Sequence, residues 1–168
     1  MTIPSPTPAP ARVRAPLAAA LFVGGCLLVG GLAGLSTMDG VRTWYPTIAK
    51  PSWTPPDAVF GPVWTVLYLA MGFAAWRVWR CGPSPRVARA LTLFGVQLGL
   101  NAAWSPIFFA LHRPAVALAV IVALDVTLAA TLAAFRRVDR VAALVLVPYF
   151  LWCLFATALN AAIVHLGT

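Results

Sequence analysis

Five stretches of this chain run for about twenty residues with almost no charge, and they decide the solvent in which it folds. Residues 16–35, 58–76, 90–111 and 141–164 contain no Asp, Glu, Lys or Arg, and 115–135 contains only Asp125. A hydrocarbon layer about 30 Å thick is crossed by roughly 20 apolar residues in a helix, which satisfies its backbone polar groups internally. A spanning barrel would alternate polar and apolar residues in segments of about ten, and these runs do not alternate. The expectation is an all-α integral membrane protein, a five-helix transmembrane bundle with helices over about 16–35, 58–79, 90–111, 115–135 and 141–165. They form a single domain, 16–168, preceded by a disordered proline-rich tail at 1–15.

Composition agrees with a lipid solvent. Hydrophobic residues make up 61% of the chain and charged residues 10%, against about 25% charged in soluble domains. The net charge of +8 is sorted by side rather than gathered into a nucleic-acid surface. Arg12, Arg14, Arg77, Arg80, Arg86, Arg89, Arg136, Arg137 and Arg140 flank the helices on one side, and Arg42, Lys50 and Arg113 on the other. Cytoplasmic loops carry the excess of Lys and Arg. The N-terminus is therefore expected in the cytoplasm, and the C-terminus and the 36–57 connection outside. The three cysteines show no CxxC or Cys/His spacing, so neither a metal nor a disulfide is expected. "VGGC" at 23–26 has the look of a lipoprotein cleavage site, but the apolar run continues past Cys26, as a retained helix would.

Inside lipid, helix faces are told apart by their polar, aromatic and small residues. In the third helix Gln97, Asn101, Trp104 and Phe108 share one face, at i, i+4, i+7 spacing. Gly95, Gly99, Ala102 and Pro106 occupy the opposite face. A GxxxG pair lets a second backbone approach closely, so Gly95, Gly99 and Ala102 are the expected homodimer interface. The second helix carries Phe60, Trp64, Tyr68 and Met71 on one stripe. The fifth carries Tyr149, Trp152, Ala156 and Asn160. Amides facing lipid would be unsatisfied, so these stripes should converge on an aromatic-walled interior. Asp125, central in the fourth helix, marks either a functional site or a hydrogen bond to a neighbouring helix. Trp44, Trp53, Trp76 and Trp79 also suit interfacial anchors. No nucleophile–base set, Walker loop, HExxH or carboxylate pair is visible, so no conventional enzyme is indicated.

Three segments carry a family resemblance: "WYPTIAKPSWTPPDAVFGPVWTVLY" (44–68), "LNAAWSPIFF" (100–109) and "PYFLWCLFATALN" (148–160). In this order, on a five-helix chain, they resemble the tryptophan-rich sensory protein family, also called the translocator protein or peripheral benzodiazepine receptor family. The resemblance covers about 44–160. It implies a dimeric five-helix membrane receptor or sensor that binds porphyrins (protoporphyrin IX, haem) and similar flat apolar ligands, with no obligatory cofactor. The pocket lies among the helices, capped by the connection between the first two. Carried over by position, the resemblance puts Tyr45, Trp64, Asn101, Trp104, Trp152 and Ala156 in or near it. Tyr68, Phe108 and Asn160 join them from the stripes. The family also includes members credited with light-dependent porphyrin degradation, which implies a catalytic role for Trp64 and Trp152 wherever that photochemistry operates. Tetrapyrrole transport is a further alternative.

The same resemblance gives a role to the proline-rich "KPSWTPPD" at 50–57. Prolines lower the entropy of ordering a loop, so the segment reads as a stiff lid with Trp53 as its apolar plug. Pro56 or Pro62 suits the first turn of the helix that follows. Sterol-binding members carry a Tyr and a basic residue just after the last "ATxLN". Here Ala161 and Ala162 follow with no Lys or Arg, which puts sterol binding in doubt.

Overall fold

The computed structural model describes residues 11–167, with the side chains of 11–14 left out of the description. It consists of five long helices: α1 Ala11–Thr43, α2 Asp57–Trp79, α3 Pro85–Phe109, α4 Pro114–Arg136 and α5 Arg140–Leu166. A single 3₁₀ turn, Tyr45–Thr47, sits between α1 and α2. The helices close into a ring in which α1 packs on α2 and α3, α2 on α5, and α4 on both α3 and α5. Leucines 17, 21, 28, 32 and 35 of α1 face outward, as lipid contact requires. Four helices are long and apolar enough to cross a membrane on those criteria alone. The one that falls short is α3, whose Gln97 and Asn101 lower its apolarity yet are fully buried inside the bundle.

The ends of α1 differ most from the sequence expectation of 16–35. Of the tail at 1–15, residues 1–10 lie outside the described residues, and the helix has begun by Ala11. At its other end, "STMDGVRT" (36–43) has the polarity of a loop. It is helical nonetheless, and its hydroxyls are satisfied by bonding back to their own helix: Ser36 and Thr37 to Ala33 O at 2.8 and 3.0 Å, and Thr43 to Asp39 O at 2.8 Å. The connection before α2 is thereby shortened to 44–56. The third helix begins five residues early, at Pro85, because Ser84 caps it, accepting from the Val87 backbone N–H at 3.2 Å. This is the Ser N-cap and N1 proline arrangement.

Close packing of α1 on α2 depends on Gly72. A Cβ at that position would meet the α1 backbone at Val23 Cα, 2.5 Å away, and Phe22 O, 2.8 Å away. At the arginine-rich end, the Trp76 indole N–H donates to Ala15 O at 3.1 Å. Arg77 of α2 pairs with Asp139 at 2.8 Å. Asp139 also caps α5, its Oδ1 accepting from the backbone N–H groups of Val141 and Ala142 at 2.8 and 3.2 Å. One carboxylate thus ties α2 to the α4–α5 turn. Burial alone would raise its pKa, but the two N–H donors and Arg77 outweigh it and hold the carboxyl below its usual value.

Candidate functional site

The half of the bundle remote from that arginine-rich end is hollow. A cavity of about 520 Å³ opens between α1, α2, α3 and α5, within the roughly 300–1,000 Å³ range of small-molecule sites. Helix α4 stays behind the wall. The other half is filled: Met71, Ala74, Ala75, Val78, Phe135 and Leu146 are completely buried.

Each stripe turns inward. From α2 come Phe60, Trp64 and Tyr68; from α3, Asn101, Trp104 and Phe108; from α5, Trp152, Ala156 and Asn160. Tyr45 reaches in from the 3₁₀ turn. These include nine of the ten residues that the sequence marks for the ligand. The rings brace one another. Trp64 lies 5.7 Å from Tyr68 and 6.3 Å from Tyr149, Trp104 lies 5.6 Å from Phe108, and Trp152 meets Phe60 edge-on at 5.8 Å. Such tilted and edge-on contacts are the favoured aromatic geometries.

The amides are held by named donors. Tyr68 Oη donates to Asn101 Oδ1 at 2.5 Å. One turn deeper, Tyr149 Oη donates to Gln97 Oε1 at 2.9 Å. The Trp104 indole N–H donates to Asn160 Oδ1 at 3.1 Å, and Asn160 Nδ2 donates to Pro114 O at 2.9 Å. Four helices, α2, α3, α4 and α5, are thereby linked at the cavity. The Trp152 indole N–H, by contrast, is buried without a partner.

Trp53, expected as the plug, is not on the cavity wall. It is 49% exposed and rests edge-on against Phe155, 5.8 Å away, on α5. Tyr45 enters the cavity instead. Lys50 clamps this turn, donating to Tyr45 O at 2.7 Å with its ammonium 4.3 Å from the Tyr45 ring centre. Burial first, and then the charge of Asp57, push the Tyr45 hydroxyl up to about 12, so it remains a neutral donor. Trp44 stacks on His112 at 4.5 Å, joining the loop to the α3–α4 turn.

Asp125 is a tie between helices: Thr157 Oγ1 of α5 donates to its Oδ2 at 2.7 Å. Thr127 and Thr131 instead bond back to carbonyls of their own helix. Gly95 and Gly99 lie exposed on the outer face of α3, with nothing within 4 Å of a Cβ built on either, and Ala102 beside them is half-buried.

Residues 22–166 match the TspO/MBR family. The chain belongs to the TspO/MBR family. It is 42% identical over 152 residues to the tryptophan-rich protein TspO of Chlorobaculum tepidum, which covers 90% of this chain and 96% of that protein. Identity to the tryptophan-rich protein TspO of Archaeoglobus fulgidus is 40%, over 82% of this chain and 88% of that one. To the translocator protein of Homo sapiens it is 42%, over 73% of each. Like other members of the TspO/MBR family, this chain is a multi-pass membrane protein.

In this TspO/MBR protein most of the wall that sequence pattern did not mark comes from α1. Gly30, Gly34, Thr37, Met38 and Arg42 all line the cavity. Gly30 has a packing reason to be small: a Cβ there would collide with the Tyr68 ring. The contribution of Arg42 depended on the helix continuing through a stretch with the polarity of a loop.

Proposed function

We propose that this protein is a membrane receptor or sensor that binds porphyrins, such as protoporphyrin IX and haem, and similar flat apolar ligands within the bundle. The observation that carries the reading is the aromatic-walled cavity of about 520 Å³, whose fixed amides and rings suit a large planar ligand. The filled opposite half of the bundle, where Met71, Ala75 and Val78 are completely buried, supports a receptor over a carrier. Under the positive-inside rule the cavity opens toward the outer side of a bacterial cell membrane, with the N-terminus in the cytoplasm. A homodimer through the outer face of α3 belongs to the same reading.

A second reading is favoured by one observation: Trp64 and Trp152, the tryptophans to which the family resemblance gives the photochemical role, both line the cavity. They would support light-dependent porphyrin degradation. One experiment tests both. Protoporphyrin IX titrated into purified protein should give a saturable change in visible absorption. Trp64→Ala or Trp152→Ala should weaken binding by up to roughly tenfold for the lost aromatic contact. Under light, Trp64→Phe and Trp152→Phe should match wild type if the protein only binds. If it degrades the ligand, they should bind and yet lose the light-driven product. Absence of saturable binding to wild type would remove the receptor reading.

A further inference from the structure

Two formal charges sit on the wall of a cavity otherwise built from aromatic, apolar and amide groups: Arg42 and Asp57. Arg42 is in the last turn of α1 and Asp57 in the first turn of α2. A cation and an anion complement those respective helix ends, which accounts for the residue types but not for both lining the cavity. The two do not neutralise each other, since among the described residues the ion pair within 4.0 Å is Arg77–Asp139, at the far end of the bundle. The neighbouring cation, Lys50, is engaged with the carbonyl and ring of Tyr45. Arg42 is therefore the cation with donors to spare at this opening.

We propose that Arg42 recognises a carboxylate on the ligand, so that among the flat ligands this cavity takes it prefers acids over their neutral counterparts. The inference rests on the receptor reading above. An arginine offers a planar fork of donors that matches a carboxylate. Both Arg42 and Asp57 are solvent-exposed, so an acid group held here keeps much of its hydration while the ring system enters among Trp64, Trp104 and Trp152. No charge has to be carried into the apolar interior, where it would be costly. Asp57 repels an acid group on its own side and thereby sets which edge of the ligand turns toward α1. Protoporphyrin IX has this form, with both carboxylates on one edge of an apolar disc.

The test compares protoporphyrin IX with its dimethyl ester, by tryptophan-fluorescence titration of protein in nanodiscs of neutral lipid. The ester partitions more strongly into lipid, so the quantity read is the change in the diacid-to-ester affinity ratio between variants, in which partitioning cancels. Arg42→Gln should lower that ratio by roughly five- to tenfold, as expected for a partly hydrated charge-assisted hydrogen bond. It should weaken ester binding far less than diacid binding, and retained ester binding shows that the cavity is intact. Arg42→Lys should keep part of the preference, and Asp57→Asn should raise the ratio. High salt should lower the ratio in wild type. A ratio unchanged by Arg42→Gln, with the ester still binding, overturns the role of Arg42 and leaves the receptor reading standing. Failure of both compounds to bind wild type overturns the two together.

Discussion

Tyr68 of α2 donates its hydroxyl to the Asn101 side-chain oxygen of α3 at 2.5 Å, and both residues are buried while lining the cavity. The Tyr68 ring occupies the space left by Gly30 of α1, where any Cβ would collide with it. One side chain thus sets the relation of three helices at the site.

The strength of that bond is the first prediction. Hydrogen bonds between membrane helices average about 0.6 kcal/mol in double-mutant cycles. A cycle of Tyr68→Phe and Asn101→Ala, read by unfolding in mixed micelles, should give a coupling close to that value. Tyr68→Phe keeps the ring against Gly30, so the cavity shape and most ligand affinity should survive. A coupling indistinguishable from zero would reduce Asn101 to a residue that only lines the wall.

Asp139 predicts a pH dependence with a definite sign. Its carboxyl is depressed in the folded protein by two backbone donors and Arg77. It therefore contributes stability that is fully present above the unfolded carboxylate value of about 3.9. That contribution is lost as pH falls through the lower folded value. The melting temperature should be flat in this respect from pH 7 to about 5 and fall below about 4. Asp139→Asn should flatten the acid limb and lower the melting temperature at pH 7. Asp139→Ala, which also removes the helix cap, should cost about 1 kcal/mol at that pH for the cap alone.

The helices and the inward stripes were legible because lipid leaves few ways to arrange polar groups. Gln97, Asn101 and Asn160 had to face one another's helices, and they carried Trp104, Phe108 and Ala156 with them. What escaped was non-periodic. The polar stretch 36–43 is helical, with its hydroxyls satisfied by carbonyls one turn back, an arrangement that composition does not reveal. With it went Thr37, Met38 and Arg42 of the wall. The place of Trp53 was also illegible: a loop tryptophan can turn into a cavity or onto a helix surface, and only the packing against Phe155 decides.

The connection between α1 and α2 should govern ligand residence through two contacts. Lys50 clamps Tyr45 over the cavity, and Trp53 fixes the loop to α5. Lys50→Met and Trp53→Ala should each speed ligand dissociation by up to roughly fivefold, the range of partly exposed interactions. Association should change little, since affinity differences within one interface lie mostly in the off-rate. Stopped-flow fluorescence with protoporphyrin IX reads both rates. Unchanged dissociation in both variants would make the loop a membrane anchor without a gating role.

The outer face of α3 supplies the last prediction. Gly95 and Gly99 stand one turn apart with open space around them, on the face opposite Gln97 and Asn101. Small residues at this spacing let a second helix approach backbone to backbone, and such contact drives helix association in lipid, where no hydrophobic difference separates helix from solvent. We propose that two copies of the chain pair here, with Ala102 extending the contact. Replacing both glycines with Leu places bulk where the partner backbone would lie while touching nothing inside the protomer. The double variant should run as a monomer in mild detergent, by light scattering or cross-linking, and retain porphyrin affinity within about twofold of wild type, because the cavity lies on the other side of α3. A dimer that survives the change would move the interface to another helix.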